Sequence, residues 1–145
     1  MNAKVRHWKV TRAVTLGGPP EPIWALIGGF FTMHHWHPDI ALTEVPSDQT
    51  DVGKVRRLLT FPGQPKTTEE LICLDDEEFH YRYKWHAGEW GEQVKNYHSS
   101  LRVIGGDLNK TSVVQWIGEF DNAVDAISQF YENGFVELRH RFPVE

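Results

Sequence analysis

The sequence predicts an α+β fold in which a curved, seven-stranded antiparallel sheet wraps around one long carboxyl-terminal helix, with two short helices between the first and second strands. Three observations predict it. One strand-like run opens the chain, six more fill Thr43 to Phe120 without a helical period, and a helical pattern then runs from Asn122 to Phe142. The segment Phe79 to His86 alternates strictly, with Phe79, Tyr81, Tyr83 and Trp85 on one face and His80, Arg82, Lys84 and His86 on the other. In the terminal helix Ile127, Phe130, Tyr131, Gly134, Phe135, Leu138 and Phe142 recur at spacings of three and four, leaving Asp125, Ser128, Gln129, Glu132, Asn133 and Arg139 for water. A lone helix must bury such a stripe against the sheet. Strands wrapped on one helix close imperfectly, so a cavity between them is the natural place for a ligand.

The elements follow in order. Trp8, Val10, Val14 and Leu16 alternate with His7, Lys9, Thr11 and Thr15 as a first strand, with Arg12 the one misfit on the apolar face. Gly17, Gly18, Pro19 and Pro20 break it. Pro22 suits the first turn of a short helix carrying Ile23, Trp24 and Ile27, and Gly28 with Gly29 ends that helix. A second short helix is predicted from Phe30 to Trp36, stopped by Pro38, which places His37 in an extended or turn conformation. In the tyrosine-rich strand the rings face inward, because exposing four of them would forfeit roughly 2 kcal/mol each. By the same rule Tyr97, Ser99, Leu101 and Val103 point inward on the next strand, and Val114, Trp116, Gly118 and Phe120 on the last. Inward Ser99 and Gly118 are small, which permits either tight helix packing or a guest. Asp121 or Asn122 is positioned to cap the final helix, and Arg139, His140 and Arg141 complement its dipole before Pro143 stops it. Gly134 interrupts the buried stripe at a cost of about 1 kcal/mol relative to alanine, so either a sheet ring such as Trp116 approaches closely or a ligand occupies the gap.

Composition narrows the function. The 145 residues suit one domain, 1–145. The net charge of −5, from 15 basic against 20 acidic residues, and the lack of any basic run longer than Arg56 and Arg57 argue against nucleic acid or an anionic membrane surface. With Cys73 as the only cysteine no internal disulfide can form, so the cytoplasm is the default compartment. No apolar stretch reads as a signal peptide or membrane span. These exclusions leave a neutral or small partner, with a second copy of the chain in a homodimer as a further one.

Order and spacing of several local patterns carry a resemblance. They are Pro22, Ile23 and Trp24; Trp36 and Pro38; Gly53, Val55 and Arg56; Glu69, Leu71 and the Asp75 and Asp76 turn; then Tyr81, Tyr83, Tyr97, Trp116 and Phe120. Together they make the chain similar to the START-like helix-grip superfamily, in the polyketide cyclase/dehydrase (SRPBCC) branch, over nearly its whole length. One departure is the Gly88, Glu89, Trp90, Gly91 segment, where relatives often carry a proline-containing turn beside the cavity mouth.

The resemblance implies a hydrophobic cavity for a lipid-like, polyketide-like or other cyclic apolar molecule, with Trp36, Arg56, Glu69, Tyr81, Tyr83, Tyr97, Trp116, Phe130 and Gly134 as candidate ligand-binding residues. Arg56 and Glu69 occupy positions where relatives often place an inward arginine and glutamate, a pair that needs mutual compensation to survive burial. Arg57 and Glu70 stand beside them, and a one-residue slip reverses the faces. As an alternative, a cyclase or dehydratase would use Glu69 as base and Tyr83 or Tyr97 as hydrogen-bond donor. A second alternative is a protein-interaction module with a vestigial cavity. No cofactor is implied. His34, His35, His37 and Asp39 make a poor metal site, because Pro38 pulls His37 out of helical geometry and no HExxH pattern occurs. Cys73 lacks a local base, and Gly17 and Gly18 precede prolines that cannot cradle a phosphate.

Overall fold

The computed structural model describes residues 7–46, 54–87, 95–121 and 125–145. Its strands are β1 (His7–Gly17), β2 (Leu42–Glu44), β3 (Arg56–Thr60), β4 (Thr67–Asp75), β5 (His80–Ala87), β6 (Lys95–Gly105) and β7 (Thr111–Asp121). Helix α1 (Pro20–Ile27) and a 3-10 turn (Met33–His35) lie between β1 and β2, and helix α2 (Asp125–Arg141) follows β7. The strands form one antiparallel sheet in the order β1-β7-β6-β5-β4-β3-β2, the seven-stranded wrap around a terminal helix that the sequence predicts.

Side-chain alternation explains which way the sheet curls. Tyr81 and Tyr83 on β5, Tyr97, Ser99, Leu101 and Val103 on β6, and Val114, Trp116 and Phe120 on β7 are all buried, against Ile127, Tyr131, Phe135 and Leu138 of α2. Registers align these rows, with Tyr83 opposite Ser99, Ser99 opposite Gly118, and Leu101 opposite Trp116. Register shifts in β4, between Thr68 and Glu69 and between Leu71 and Cys73, bend the sheet toward its concave side. Pro19 precedes α1 in extended conformation, and Pro20 and Pro22 occupy its first turn, where missing N–H groups cost nothing. The far end of α2 is fastened to β1, since Gly17 N–H donates to the Phe142 carbonyl at 2.9 Å. No helix among the described residues is long and apolar enough to cross a membrane.

Several local expectations are corrected. The second short helix is only the single 3-10 turn Met33–His35, because Gly28, Gly29 and Pro38 leave too few residues for a helical nucleus. β5 begins at His80, since Phe79 takes a positive φ of 53° and stacks on Trp24 with centroids 5.8 Å apart. Arg12 resolves its own misfit by reaching Glu132 of α2 at 3.7 Å. Asp121 is the last residue of β7, its carboxylate receiving Asn96 Nδ2 at 2.6 Å and lying 3.2 Å from His7 Nδ1. Gly53, the Gly88 to Gly91 segment and Asn122 lie outside the described residues.

Candidate functional site

On β3 and β4 the alternation turns Arg57, Leu59, Thr67 and Glu69 toward the concave side, where all four are buried. Arg57 Nε donates to Glu69 Oε1 at 2.9 Å, and Nη1 donates to the Phe30 carbonyl at 3.0 Å. Nη2 lies 2.7 Å from the same Glu69 oxygen but off its N–H directions, so it makes an ionic contact without a hydrogen bond. The guanidinium packs 4.2 Å from the Phe30 ring centroid and 4.7 Å from that of Tyr83. Burial pushes the Glu69 carboxyl above its ordinary value, further than Arg57 pulls it down. Burial opposes the charge on Arg57, yet the Tyr81 and Glu69 oxygens outweigh it and leave the guanidinium protonated.

The inward partner of Glu69 is therefore Arg57, which corrects the expectation for Arg56. Arg56 stands on the convex side, where its Nε donates to Glu70 at 3.1 Å and Lys84 approaches the same carboxylate at 3.5 Å. In a strand that reads Arg-Arg-Leu-Leu, alternation alone leaves the inner face undecided.

The remaining polar atoms of the concave face form a line of hydroxyls. Trp116 Nε1 donates to Tyr83 Oη at 3.0 Å, and Tyr83 Oη lies 3.4 Å from Tyr97 Oη. Tyr97 Oη is 2.7 Å from Tyr131 Oη, which is 2.8 Å from Ser99 Oγ, and Ser99 donates to the Ile117 carbonyl at 2.9 Å. Tyr81 accepts a long contact of 3.5 Å from Arg57 Nη1. Burial raises the Tyr81 and Tyr131 phenols above their ordinary value and carries Tyr83 and Tyr97 well above it, so all four are neutral. The space over Gly118 belongs to Tyr131, since a methyl there would overlap its hydroxyl. Tyr131, whose ring stacks on Trp116 at 4.3 Å, was legible only as a stripe residue.

At Gly134 the rings that approach closely are those of His37 and Trp36 and not that of a sheet residue, and a Cβ there would sit 2.9 Å from His37 Cδ2 and 3.1 Å from Trp36 Cζ3. His37 is buried. Its ring stacks on Phe130 at 4.0 Å, Nε2 donates to the Phe130 carbonyl at 2.7 Å, and Nδ1 accepts from Asp39 N–H at 3.1 Å. With both nitrogens occupied this way, His37 is a packing and hydrogen-bonding residue. Gly134→Ala is expected to destabilise the protein by about 1–2 kcal/mol, because a clash against doubly hydrogen-bonded His37 exceeds the gain of roughly 1 kcal/mol in helix propensity. Urea denaturation measures it, and a variant more stable than the parent would contradict this packing.

A surface groove of about 530 Å³ runs between α1 and β4, lined by Trp24, Phe30, Phe31, Val55, Leu71 and Leu74. Phe30 lines this groove and also covers Arg57, so one ring separates the groove from the buried ion pair. Cys73 is exposed on β4. Among the described residues no three potential metal ligands come together.

Comparison with known proteins agrees with this architecture. A sequence model of the family described as polyketide cyclase/dehydrase and lipid transport matches residues 7–140. Among solved structures the chain is similar to XoxI from Bacillus cereus, with 29% identity and a TM-score of 0.82 over 92% of this chain and 94% of that one. It is likewise similar to an uncharacterised protein from Bacillus thuringiensis, with 30% identity and a TM-score of 0.81 over 93% and 98% of the two chains. A truncated norcoclaurine synthase from Thalictrum flavum shares the fold at a TM-score of 0.69 with 13% identity, covering 95% of this chain and 96% of its own. No curated protein matches the chain. The match of the family model to all seven strands and nearly all of α2 makes the conclusion direct: this chain belongs to the polyketide cyclase/dehydrase branch of the START-like, helix-grip (SRPBCC) superfamily.

Proposed function

We propose that the protein holds a small apolar or cyclic ligand, lipid-like or polyketide-like, between the concave face of the sheet and α2. One observation carries the reading. The ring-lined interior contains an ion pair and two buried polar atoms, Trp36 Nε1 and Thr67 Oγ1, that have no hydrogen-bond partner among the described residues. Leaving such a group unpaired costs about 1–3 kcal/mol, so a core meant only for packing would use apolar residues there. The groove beside Phe30 supplies an approach from solvent. Candidate contacts are Trp36, Arg57, Glu69, Tyr81, Tyr83 and Phe130.

Native mass spectrometry of protein purified from its host tests the reading. A retained small molecule is expected. Protein that emerges empty and takes up no apolar compound added afterwards would overturn it.

Glu69 favours a second reading, a cyclase or dehydratase. A carboxyl raised by burial beside a phenol is suited to exchange a proton with a substrate carbon. Return of a bound diketone unchanged by the purified protein would remove this reading and leave the first.

A further inference from the structure

Counting protons along the buried hydroxyls separates those already committed from those that are available. Ser99 Oγ donates to the Ile117 carbonyl, which accepts only, so the single Ser99 proton is spent there. The 2.8 Å contact from Tyr131 must then be a donation by Tyr131 to Ser99. It follows that the 2.7 Å contact from Tyr97 is a donation by Tyr97 to Tyr131. Ser99, Tyr131 and Tyr97 have no proton left to give. Tyr83 accepts from the Trp116 N–H, and its own proton has only Tyr97 at 3.4 Å, a long and weak contact. The Tyr81 hydroxyl accepts from Arg57 at 3.5 Å, and no acceptor for its proton is present among the described residues. Among the described residues Trp36 Nε1 is a buried donor without a hydrogen bond, and Arg57 Nη2 has only its 2.7 Å ionic contact with Glu69.

The groups not fully spent in this interior are therefore mostly donors, and the side chains that carry three of them, Arg57, Tyr81 and Tyr83, pack against one another. The rings of Tyr81 and Tyr83 are 5.8 Å apart, and the guanidinium lies 5.7 Å from the first and 4.7 Å from the second. Glu69 already balances the charge of Arg57. A carboxylate guest would thus bring an unmatched negative charge into the interior, whereas a neutral carbonyl oxygen would satisfy the donors without one.

Resting on the proposed ligand cavity, we infer that its guest is a neutral carbonyl compound whose oxygen is held by Tyr83, Tyr81 and Arg57, with Tyr97, Tyr131 and Ser99 serving as a self-satisfied frame. Tyr97 is then a positioning residue and not a donor to the ligand.

Three phenyl probes of similar size test this on the full chain: acetophenone, benzoate and ethylbenzene. Binding is followed by NMR through the indole N–H signals of the six tryptophans. Acetophenone is expected to bind about tenfold more tightly than ethylbenzene, the worth of one net hydrogen bond, and more tightly than benzoate. Tyr83→Phe should erase that preference while ethylbenzene still binds, and Tyr97→Phe should keep it. Equal affinity for acetophenone and ethylbenzene, tightest binding of benzoate, or loss of the preference in Tyr97→Phe but not in Tyr83→Phe would overturn the carbonyl assignment and leave the cavity standing. Binding of none of the three would overturn both.

Discussion

Arg57→Met is expected to lower stability by about 3–5 kcal/mol, the usual cost of removing one partner from a buried ion pair. The loss arises from what remains. Glu69 would keep its place inside the sheet with neither a countercharge nor the Nε donor now 2.9 Å from it, and the Phe30 carbonyl would lose its donor as well. Restoring the cation is not the only remedy. In the double variant Arg57→Met, Glu69→Met, most of the loss should disappear, because matched apolar side chains of similar volume avoid the desolvation of both charges. Urea denaturation of the two variants measures this difference. A pH series adds an independent reading. With Arg57 gone, burial alone governs Glu69 and raises its pKa in the folded state, so the folded protein binds more protons than the unfolded chain. Relative to the double variant, which keeps His37 but lacks this carboxyl, the single variant should therefore gain stability as pH falls from 7 toward 5. A single variant as stable as the double one at pH 7 would place the pair in solvent and contradict the structure.

Acidification should weaken the parent protein through His37. Burial lowers this imidazole to about 4 from 6.5, with Arg57 adding to the effect and the Phe130 carbonyl and Asp39 opposing it. The sign follows from proton counting. Between those two values the unfolded chain binds a proton that the folded one refuses, so the contribution is complete above 6.5 and lost as pH falls toward 4. The full loss is about 3 kcal/mol, from 1.36 kcal/mol per pKa unit. His80, also lowered, contributes with the same sign, so the diagnostic quantity is the difference between parent and His37→Gln. Glutamine retains an N–H for the Phe130 carbonyl and removes the titration. Parallel stability curves for the two proteins between pH 4 and 7 would show that His37 carries its proton in the fold.

The architecture was legible because two periodicities were unambiguous. Four rings alternating with four ionisable heads in β5, and a stripe at three and four in α2, each admit one orientation. The candidate site was only half legible. Tyr81, Tyr83, Tyr97 and Trp116 could be placed inward by alternation, and the structure joins the last three along one hydrogen-bonded line while Tyr81 faces Arg57. His37 could not, since it follows a 3-10 turn and precedes a proline, where no period assigns a face. The signal for it was Gly134. A glycine on a buried stripe requires some ring above it, and the residues beside Pro38 supplied that ring. Phe30 was hidden for a similar reason, because its role is to offer a carbonyl and a ring from a loop.

The pairing of β3 with β4 has a consequence for how the chain finds its fold. Opposite residues are Arg56 with Glu70, Arg57 with Glu69, Leu58 with Thr68 and Leu59 with Thr67, so each side of this ribbon displays one Arg–Glu couple and one Leu–Thr couple. Turned over, the ribbon would present the same chemistry inward. It holds no internal instruction about which side belongs to the interior. That choice is imposed from outside it, by Phe30 and Tyr83 receiving one guanidinium and by Lys54 and Lys84 flanking the opposite carboxylate.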